Sequence, residues 1–212
     1  MRRLVLALSI GFVATFLCAA GHSAPQRAFS DADGVELNRV SAYLNSIHTM
    51  KGGFVQIGPD GQIDQGEFAL SKPGRIRFQY YPPTPTLIVS DGSTVAVENT
   101  RLKTVDRYPL SDTPLGLILG DNIDLLHDRE IVGIEREQDA VVIKARSSSN
   151  RTQANITLTF AEPELELRQW TVVDNQGLTT TVALRNMQTG VTLPGSLFTM
   201  PDRNPFARKR DD

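Results

Sequence analysis

The chain has 212 residues, 40% of them hydrophobic, and 22 Lys and Arg against 24 Asp and Glu give a formal net charge of −2. This length is enough for one domain with a sizeable core. The charges are spread along the chain, which argues against nucleic acid as a partner, because phosphate binding needs a basic stripe.

The first 24 residues have the pattern of a secretory signal peptide. Two arginines precede an apolar run at residues 4–20, and small residues follow it. A membrane-spanning helix needs roughly 20 apolar residues, so a cleaved leader is favoured over a permanent anchor. We predict cleavage after Ala24, with Gly21 and Ala20 as alternative sites. Cleavage removes the only cysteine, Cys18, and after Ala24 it leaves residues 25–212 as one exported domain.

An amphipathic helix is predicted at residues 34–48, with Asp33 as its cap. Its apolar face must cover another element, and Gly52-Gly53 is interpreted as its end. The apolar residues recur at helical spacing at Val35, Leu37, Val40, Tyr43, Leu44 and Ile47.

Residues 66–92 have the period-2 alternation of half-buried strands. The tripeptide Lys72-Pro73-Gly74 predicts a tight turn between two strands, and Asp91-Gly92 predicts a hairpin. The alternating apolar positions are Phe68, Leu70, Ile76, Phe78 and Tyr80.

The meander is interrupted once, by a short apolar helix predicted at residues 113–119. Ile123, Leu125 and Leu126 add a second apolar turn after it. A slip in phase between Leu167 and Trp170 predicts a β-bulge. The predicted strands are residues 54–57, 65–71, 75–81, 87–90, 95–99, 103–108, 130–137, 141–146, 155–160, 167–173 and 179–186.

These elements predict a mainly β fold. A long antiparallel sheet of sequentially paired strands twists and curls, and its concave apolar face must be hidden from water. Two helices are too few to fill that space but can cover it. We therefore expect an incomplete, half-open antiparallel β-barrel of about eleven strands, lidded by the short helices around an apolar cavity.

The sequence offers little for catalysis or metal binding. His48 and His127 are far apart and have no metal-ligand spacing. The acidic run Asp121, Asp124, Asp128 and Glu130 could supply paired carboxylates, but a solvated loop is the favoured interpretation. No nucleophile, phosphate-loop or zinc motif occurs, so neither enzyme activity nor a cofactor is expected.

An ordered set of short motifs covers nearly all of the chain after the leader and resembles the periplasmic lipoprotein carriers of the LolA family. The motifs are Phe54-x-Gln56, Gly66-x-Phe68, Lys72-Pro73-Gly74-x-x-Arg77-Phe78, the Tyr-Pro-Pro run at residues 81–83, Val89-Ser90-Asp91-Gly92, Tyr108-Pro109-Leu110 and Thr113-Pro114-Leu115.

The resemblance implies a site as well as a fold. Periodicity alone favours ordinary core at Ile76, Phe78 and Tyr80, whereas the resemblance implies a lipid cavity. The implied cavity residues are Phe68, Leu70, Ile76, Phe78, Tyr80, Leu87 and Val89. The implied lid residues are Leu37, Val40 and Leu44 on the first helix and Leu115, Leu117 and Ile118 on the second.

A basic residue before the turn proline resembles a latch that holds the empty cavity closed. In this chain it is Lys72, where the family usually has arginine, and its expected acceptor is the carbonyl of Leu117 or Ile118. Lysine provides a single point donor where arginine provides a planar fork. Arg75 and Arg77 are therefore kept as alternative latch residues.

The resemblance further implies a periplasmic monomer that carries acylated lipoproteins from the inner to the outer membrane. Its partners would be an ATP-driven inner-membrane extractor of the ABC type and, for delivery, the outer membrane itself or a receptor there. The alternative is a periplasmic lipid or lipopeptide sensor that regulates a membrane-bound partner. A hydrolase in the same cavity is less supported, for want of a nucleophile and base. The basic tail at residues 203–212 is expected to be flexible.

Overall fold

The computed structural model describes residues 29–113, 115–147 and 153–201. The predicted signal peptide and the basic tail lie outside the described residues. Within the described residues, no helix is long and apolar enough to cross a membrane.

The described part of the chain forms eleven strands, two α-helices and two short 3-10 helices. The helices are α1 (Asp31–Ser46) and α2 (Gly116–Leu119), with 3-10 turns at Leu110–Asp112 and Gly195–Phe198. The strands are β1 (Thr49–Ile57), β2 (Ile63–Ser71), β3 (Arg75–Tyr80), β4 (Thr86–Asp91), β5 (Thr94–Asn99), β6 (Thr104–Pro109), β7 (Ile131–Arg136), β8 (Ala140–Arg146), β9 (Asn155–Ala161), β10 (Glu166–Val173) and β11 (Thr179–Thr189).

All eleven strands belong to one antiparallel sheet, in the order β6-β5-β4-β3-β2-β1-β11-β10-β9-β8-β7. Two meanders, β1 to β6 and β7 to β11, are joined where β1 pairs with β11. Strands β6 and β7 are the two edges, so the sheet stays open. The predicted fold class is confirmed, and so is the β-bulge, since the register between β9 and β10 shifts between Leu167 and Gln169.

The cap of α1 differs from the prediction. Ser30 is the N-cap residue: its hydroxyl accepts from the backbone N–H of Asp33 at 3.2 Å. The Asp33 carboxylate in turn accepts from the backbone N–H of Ser30 at 3.1 Å, which completes a capping box. The helix therefore begins at Asp31, three residues before the predicted start.

The glycine pair Gly52-Gly53 lies inside β1 rather than at the end of α1. A Cβ atom at Gly52 would lie 2.7 Å from the carbonyl oxygen of Arg185 on β11. Glycine is therefore required because the two strands approach closely at a register shift between Lys51 and Gly53. The helix end predicted at this pair was wrong, because glycine also occurs where two backbones lie in close contact.

The connection from β6 to β7 joins the two edges of the sheet and therefore crosses its open side. It contains α2, which is shorter than predicted and begins at Gly116. Leu117 and Leu119 of α2 are buried in the same core cluster as α1 and one face of the sheet. Leu125, in the predicted second apolar turn, is also buried, although it lies outside any helix.

A second crossing covers the opposite face of the sheet. Residues 190–201, here called the C-terminal strap, leave β11 and contact β3 and β4 through the 3-10 turn at Gly195–Phe198. The strap is fixed at its far end, where an Arg107 guanidinium N–H donates to the carbonyl of Pro201 at 2.8 Å. The strap thus covers the outer face of the sheet at β3 and β4.

Candidate functional site

The inner face of the sheet is the face that packs against α1 and α2. Phe78 on β3 pairs with Phe68 on β2 and with Ile88 on β4, which places all three side chains on this face. Aromatic rings meet there edge to face: the Phe54 centroid lies 5.1 Å from that of Phe78 and 4.9 Å from that of Tyr80. The rings form a large apolar surface with defined geometry.

A cavity of about 160 Å³, here called the inner cavity, remains between these rings and the start of α2. Gly66 makes room for its aromatic wall, because a Cβ atom there would lie 2.7 Å from the Phe54 ring. The lining residues are Phe54, Gln56, Phe78, Tyr80, Ile88, Leu115, Trp170, Thr180 and Val182.

The inner cavity is lined by uncharged groups alone. Its main polar pair is self-contained, since the Tyr80 hydroxyl donates to Oε1 of Gln56 at 2.7 Å. Burial, together with the nearby Asp64 carboxylate, raises the pKa of Tyr80 to about 12, so the phenol stays neutral. Such a wall suits an apolar ligand. Among the described residues, no group of three or more His, Cys, Asp or Glu is placed to hold a metal ion.

Helix α1 is tied to its surroundings by side-chain hydrogen bonds. Asn45 donates to the carbonyl of Ile123 at 2.9 Å and accepts from the N–H of the same residue at 2.8 Å. The hydroxyl of Ser41 accepts from the N–H of Leu125 at 3.0 Å. Tyr43 accepts from a backbone N–H of β10. These bonds hold α1 as a fixed cover over the core.

Helix α2 has fewer attachments. Its last carbonyl, on Leu119, accepts from the backbone N–H of Gly74 at 2.9 Å. Otherwise it is held by burial of Leu117, Ile118 and Leu119, while half-buried Leu115 lines the inner cavity. A helix of four residues has no stability of its own, so α2 depends on these contacts.

Lys72 contacts α1 and not α2. Its Nζ donates to the carbonyl of Leu44, in the last turn of α1, at 2.7 Å. The predicted acceptor, Leu117 or Ile118, was wrong. Burial lowers the pKa of Lys72 to about 8, although the Asp121 carboxylate acts in the opposite direction.

The two alternative latch residues lie on the outer face, away from the helices. Arg75 donates to the Ser71 hydroxyl at 2.9 Å and stacks over the Phe198 ring of the strap. Arg77 donates to the Leu197 carbonyl, also in the strap, at 3.3 Å. Neither therefore reaches a helix that covers the inner cavity.

The predicted cavity residues fall into three groups. Phe78 and Tyr80 line the inner cavity, while Phe68, Leu70 and Ile76 lie on the same face in packed core. The predicted lid residues Leu37, Val40, Leu44, Leu117 and Ile118 are buried against this face.

Leu87 and Val89 were placed on the wrong face. They pair with Gln79 and Arg77, so they point outward, and Ile88 takes the inner position. The strand carries three consecutive apolar residues, so alternation could not decide its phase. The strap contacts β4, and Ile88 on the inner face packs against the core cluster, so both faces of the strand are covered.

Sequence reasoning missed six cavity residues. The alternation Phe54-x-Gln56 was visible in the sequence and marks the inner face of β1. Trp170, the only tryptophan, follows the bulge that obscured the phase of β10. The missed residues are Phe54, Gln56, Ile88, Trp170, Thr180 and Val182.

Comparison with known proteins gives consistent matches. Residues 45–201 match the family model described as outer membrane lipoprotein carrier protein LolA. The chain is 28% identical over 178 residues to the outer-membrane lipoprotein carrier protein of Methylococcus capsulatus, covering 80% of this chain and 85% of that one. It is 29% identical over 164 residues to the Legionella pneumophila (strain Corby) protein of the same name, covering 73% and 80%. Among solved structures, a LolA superfamily protein from Nitrosomonas europaea aligns with 77% of this chain and 97% of its own, at 11% identity and a TM-score of 0.43.

Proposed function

The chain belongs to the LolA family of outer membrane lipoprotein carrier proteins, and from this membership we propose that it carries lipoproteins through the periplasm with their acyl chains held in the inner cavity. One observation carries the proposal: an uncharged, partly aromatic cavity lies directly beneath a weakly attached four-residue helix. An acyl chain needs an apolar wall and a way in, and this arrangement supplies both.

In this proposal the structure is the closed state of the carrier. The inner cavity measures about 160 Å³, and a water-sized group occupies about 30 Å³, so only about five such groups fit. A whole acyl chain therefore enters only when a cover moves. We infer that α2 is the moving cover, because α1 is held by the paired Asn45–Ile123 hydrogen bonds.

The energies of loading and lid displacement are of similar size. An acyl chain of roughly 15 methylenes gains about 12 kcal/mol at about 0.8 kcal/mol for each buried methylene. Exposing the buried side chains Leu117, Ile118 and Leu119 costs about 1.5–3 kcal/mol each, or roughly 4.5–9 kcal/mol together. The offset keeps binding strong enough to cross water and weak enough for release.

Lys72 is the proposed latch, acting on α1 instead of α2. Its turn contacts both covers, because Nζ bonds Leu44 and the Gly74 N–H bonds Leu119. A shift of α2 would therefore break a bond at the same turn that holds α1. This supports a role for the turn in setting how readily the cavity opens.

The proposed partners follow from the cargo. Lipoproteins are anchored in the inner membrane by their acyl chains, so loading requires an energy source outside this chain. An ABC-type extractor would supply it, and an outer-membrane receptor or the outer membrane itself would accept the cargo. The chain itself would need only an affinity for the cargo that differs between loading and delivery.

Mass spectrometry of acylated material that purifies with the full chain from the periplasm tests the proposal. The wedge variant Thr180→Trp fills the inner cavity and should reduce the bound acylated protein at least tenfold. Thr179→Trp adds the same ring next to it on an exposed position and is the matched control. Equal loads of acylated protein in the two variants would contradict the carrier proposal. Capture of one membrane protein without acyl chains would also contradict it and would favour the sensor alternative.

A further inference from the structure

A second and larger cavity lies on the outer face of the sheet. It measures about 650 Å³ and is here called the outer pocket. One wall is formed by β1, β2, β3 and β11, and the other by the C-terminal strap. The lining includes Lys51, Arg77 and Gln188 on the strands, and Leu193 and Leu197 on the strap.

The outer pocket exists because its floor has small residues. Gly53 pairs with Glu67 and Ala69 pairs with Arg77, so both small residues lie on the outer face. A Cβ atom at Gly53 would have no neighbour closer than 3.7 Å, so the space above it is open. The strap bridges this floor instead of packing onto it.

The charges in the outer pocket are unbalanced. Within the described residues, neither Lys51 nor Arg77 forms an ion pair with a carboxylate. The guanidinium of Arg77 has five N–H groups. One donates to the Leu197 carbonyl and one to the side-chain oxygen of Gln79. The lining has one carboxylate, Glu67, and burial together with this carboxylate raises the pKa of Tyr81. Lys51 and Arg77 therefore both face the pocket with N–H groups available to donate to a ligand.

We propose that the outer pocket binds a single-chain amphiphile with an anionic head. The head lies between Lys51 and Arg77, and the apolar chain lies against Leu193 and Leu197 of the strap. The volume of about 650 Å³ is within the range of small-molecule sites, roughly 300–1,000 Å³. This site is separate from the inner cavity, because the two have no lining residue in common.

Nuclear magnetic resonance on the full chain distinguishes the two sites. Titration with decanoate should shift the backbone amide signals of Gly53 and Ala69, and these shifts should persist in Thr180→Trp, which blocks the inner cavity. Decyltrimethylammonium, with the same chain and the opposite charge, and inorganic phosphate, with no chain, should each bind at least tenfold more weakly at these amides.

Two variants complete the test. Lys51→Gln removes a side chain without a hydrogen-bond partner in the described structure, and should weaken decanoate binding about tenfold, the effect of one charge-assisted hydrogen bond. Gly53→Leu fills the floor and should abolish binding while leaving the Trp170 indole signal unchanged. The proposal is wrong if decanoate perturbs only Trp170, if the cation binds equally well, or if Gly53→Leu binds as the wild type does. These three outcomes concern the outer pocket alone. They do not depend on whether Thr180→Trp loses acylated cargo, which tests the inner cavity.

Discussion

Lys72 donates from Nζ to the carbonyl of Leu44 at 2.7 Å, which ties the turn between β2 and β3 to the last turn of α1. The same turn donates from the Gly74 N–H to Leu119 of α2 at 2.9 Å. A cation is favourable at the C-terminal end of a helix, where the carbonyls lack intrahelical partners and the helix dipole is negative. One short turn thus contacts both covers of the inner cavity.

Replacing Lys72 with leucine should destabilise the protein by about 1 kcal/mol. A hydrogen bond from a charged group contributes about 1.5–3 kcal/mol, but removal of the partly buried ammonium recovers some of its desolvation cost. Urea unfolding measures the change. If Lys72 is the latch, Lys72→Leu should also release bound lipopeptide faster.

Lys51→Leu is the matched control for that variant. Lys51 lies on the exposed outer face of β1, so the change should stay within about 0.5 kcal/mol. Equal effects of the two substitutions would mean that the Lys72–Leu44 bond contributes nothing measurable.

The contribution of Lys72 should increase with pH. Burial lowers the pKa of Lys72 to about 8, from an ordinary value of 10.5. Between those values the unfolded chain binds more protons at this residue than the folded chain, so the free energy of unfolding rises with pH. Tyr80 acts in the opposite direction above about pH 10, because its raised pKa makes the folded chain retain the proton.

Denaturation of wild type and Lys72→Leu at pH 7, 8, 9 and 10 isolates this effect, since the other titrations cancel in the difference. The difference in unfolding free energy should widen in favour of wild type above pH 8. A difference that stays constant with pH would show that the folded chain does not perturb this ammonium.

Gly66→Ala should be strongly destabilising, by about 3 kcal/mol or more. A Cβ atom there would lie 2.1 Å from the carbonyl of Gln79 and 2.7 Å from the Phe54 ring, so backbone must move. Gly133→Ala is the control, because its Cβ would meet Lys144 at an ordinary 3.7 Å. Thermal unfolding compares the two, and similar losses would contradict the close contact of Phe54 with the strand.

The sequence predicted the fold well because alternation is clear in most strands. On β3, Ile76, Phe78 and Tyr80 are buried and the residues between them are half-buried, as the pattern indicates. On β4 the run Leu87, Ile88 and Val89 carries no such alternation, because the strap covers its outer face. The strap itself has no helix or strand pattern, so its position was not predictable.

The site was predicted only in part, because its contacts are long-range. Lys72 was identified from its turn, but its acceptor Leu44 is 28 residues away along the chain. Trp170 on β10 and Val182 on β11 reach the cavity only because the first and last strands of the chain, β1 and β11, pair in the middle of the sheet. Local patterns assign faces of strands, whereas strand order decides which residues share a cavity.

Helix α2 should open before α1, and acyl ligands should increase that difference. The four-residue α2 relies on burial of Leu117 and Leu119 and on one backbone bond from Gly74. Helix α1 has the paired Asn45–Ile123 bonds as well as its own turns. Elements with few tethers exchange amide hydrogens through low-energy local opening. Hydrogen exchange should therefore be faster at the Leu119 amide than at amides in the middle of α1.

Addition of an acylated lipopeptide should raise exchange in α2 at least tenfold and leave α1 unchanged, because the acyl chain replaces α2 over the aromatic wall. The same lipopeptide should have little effect on Thr180→Trp, in which the cavity is filled. If exchange rises in both helices together, they form one lid, and the tethers of α1 do not survive loading. If α2 becomes more protected, the ligand binds beneath a closed cover, and displacement of α2 is not the route of entry.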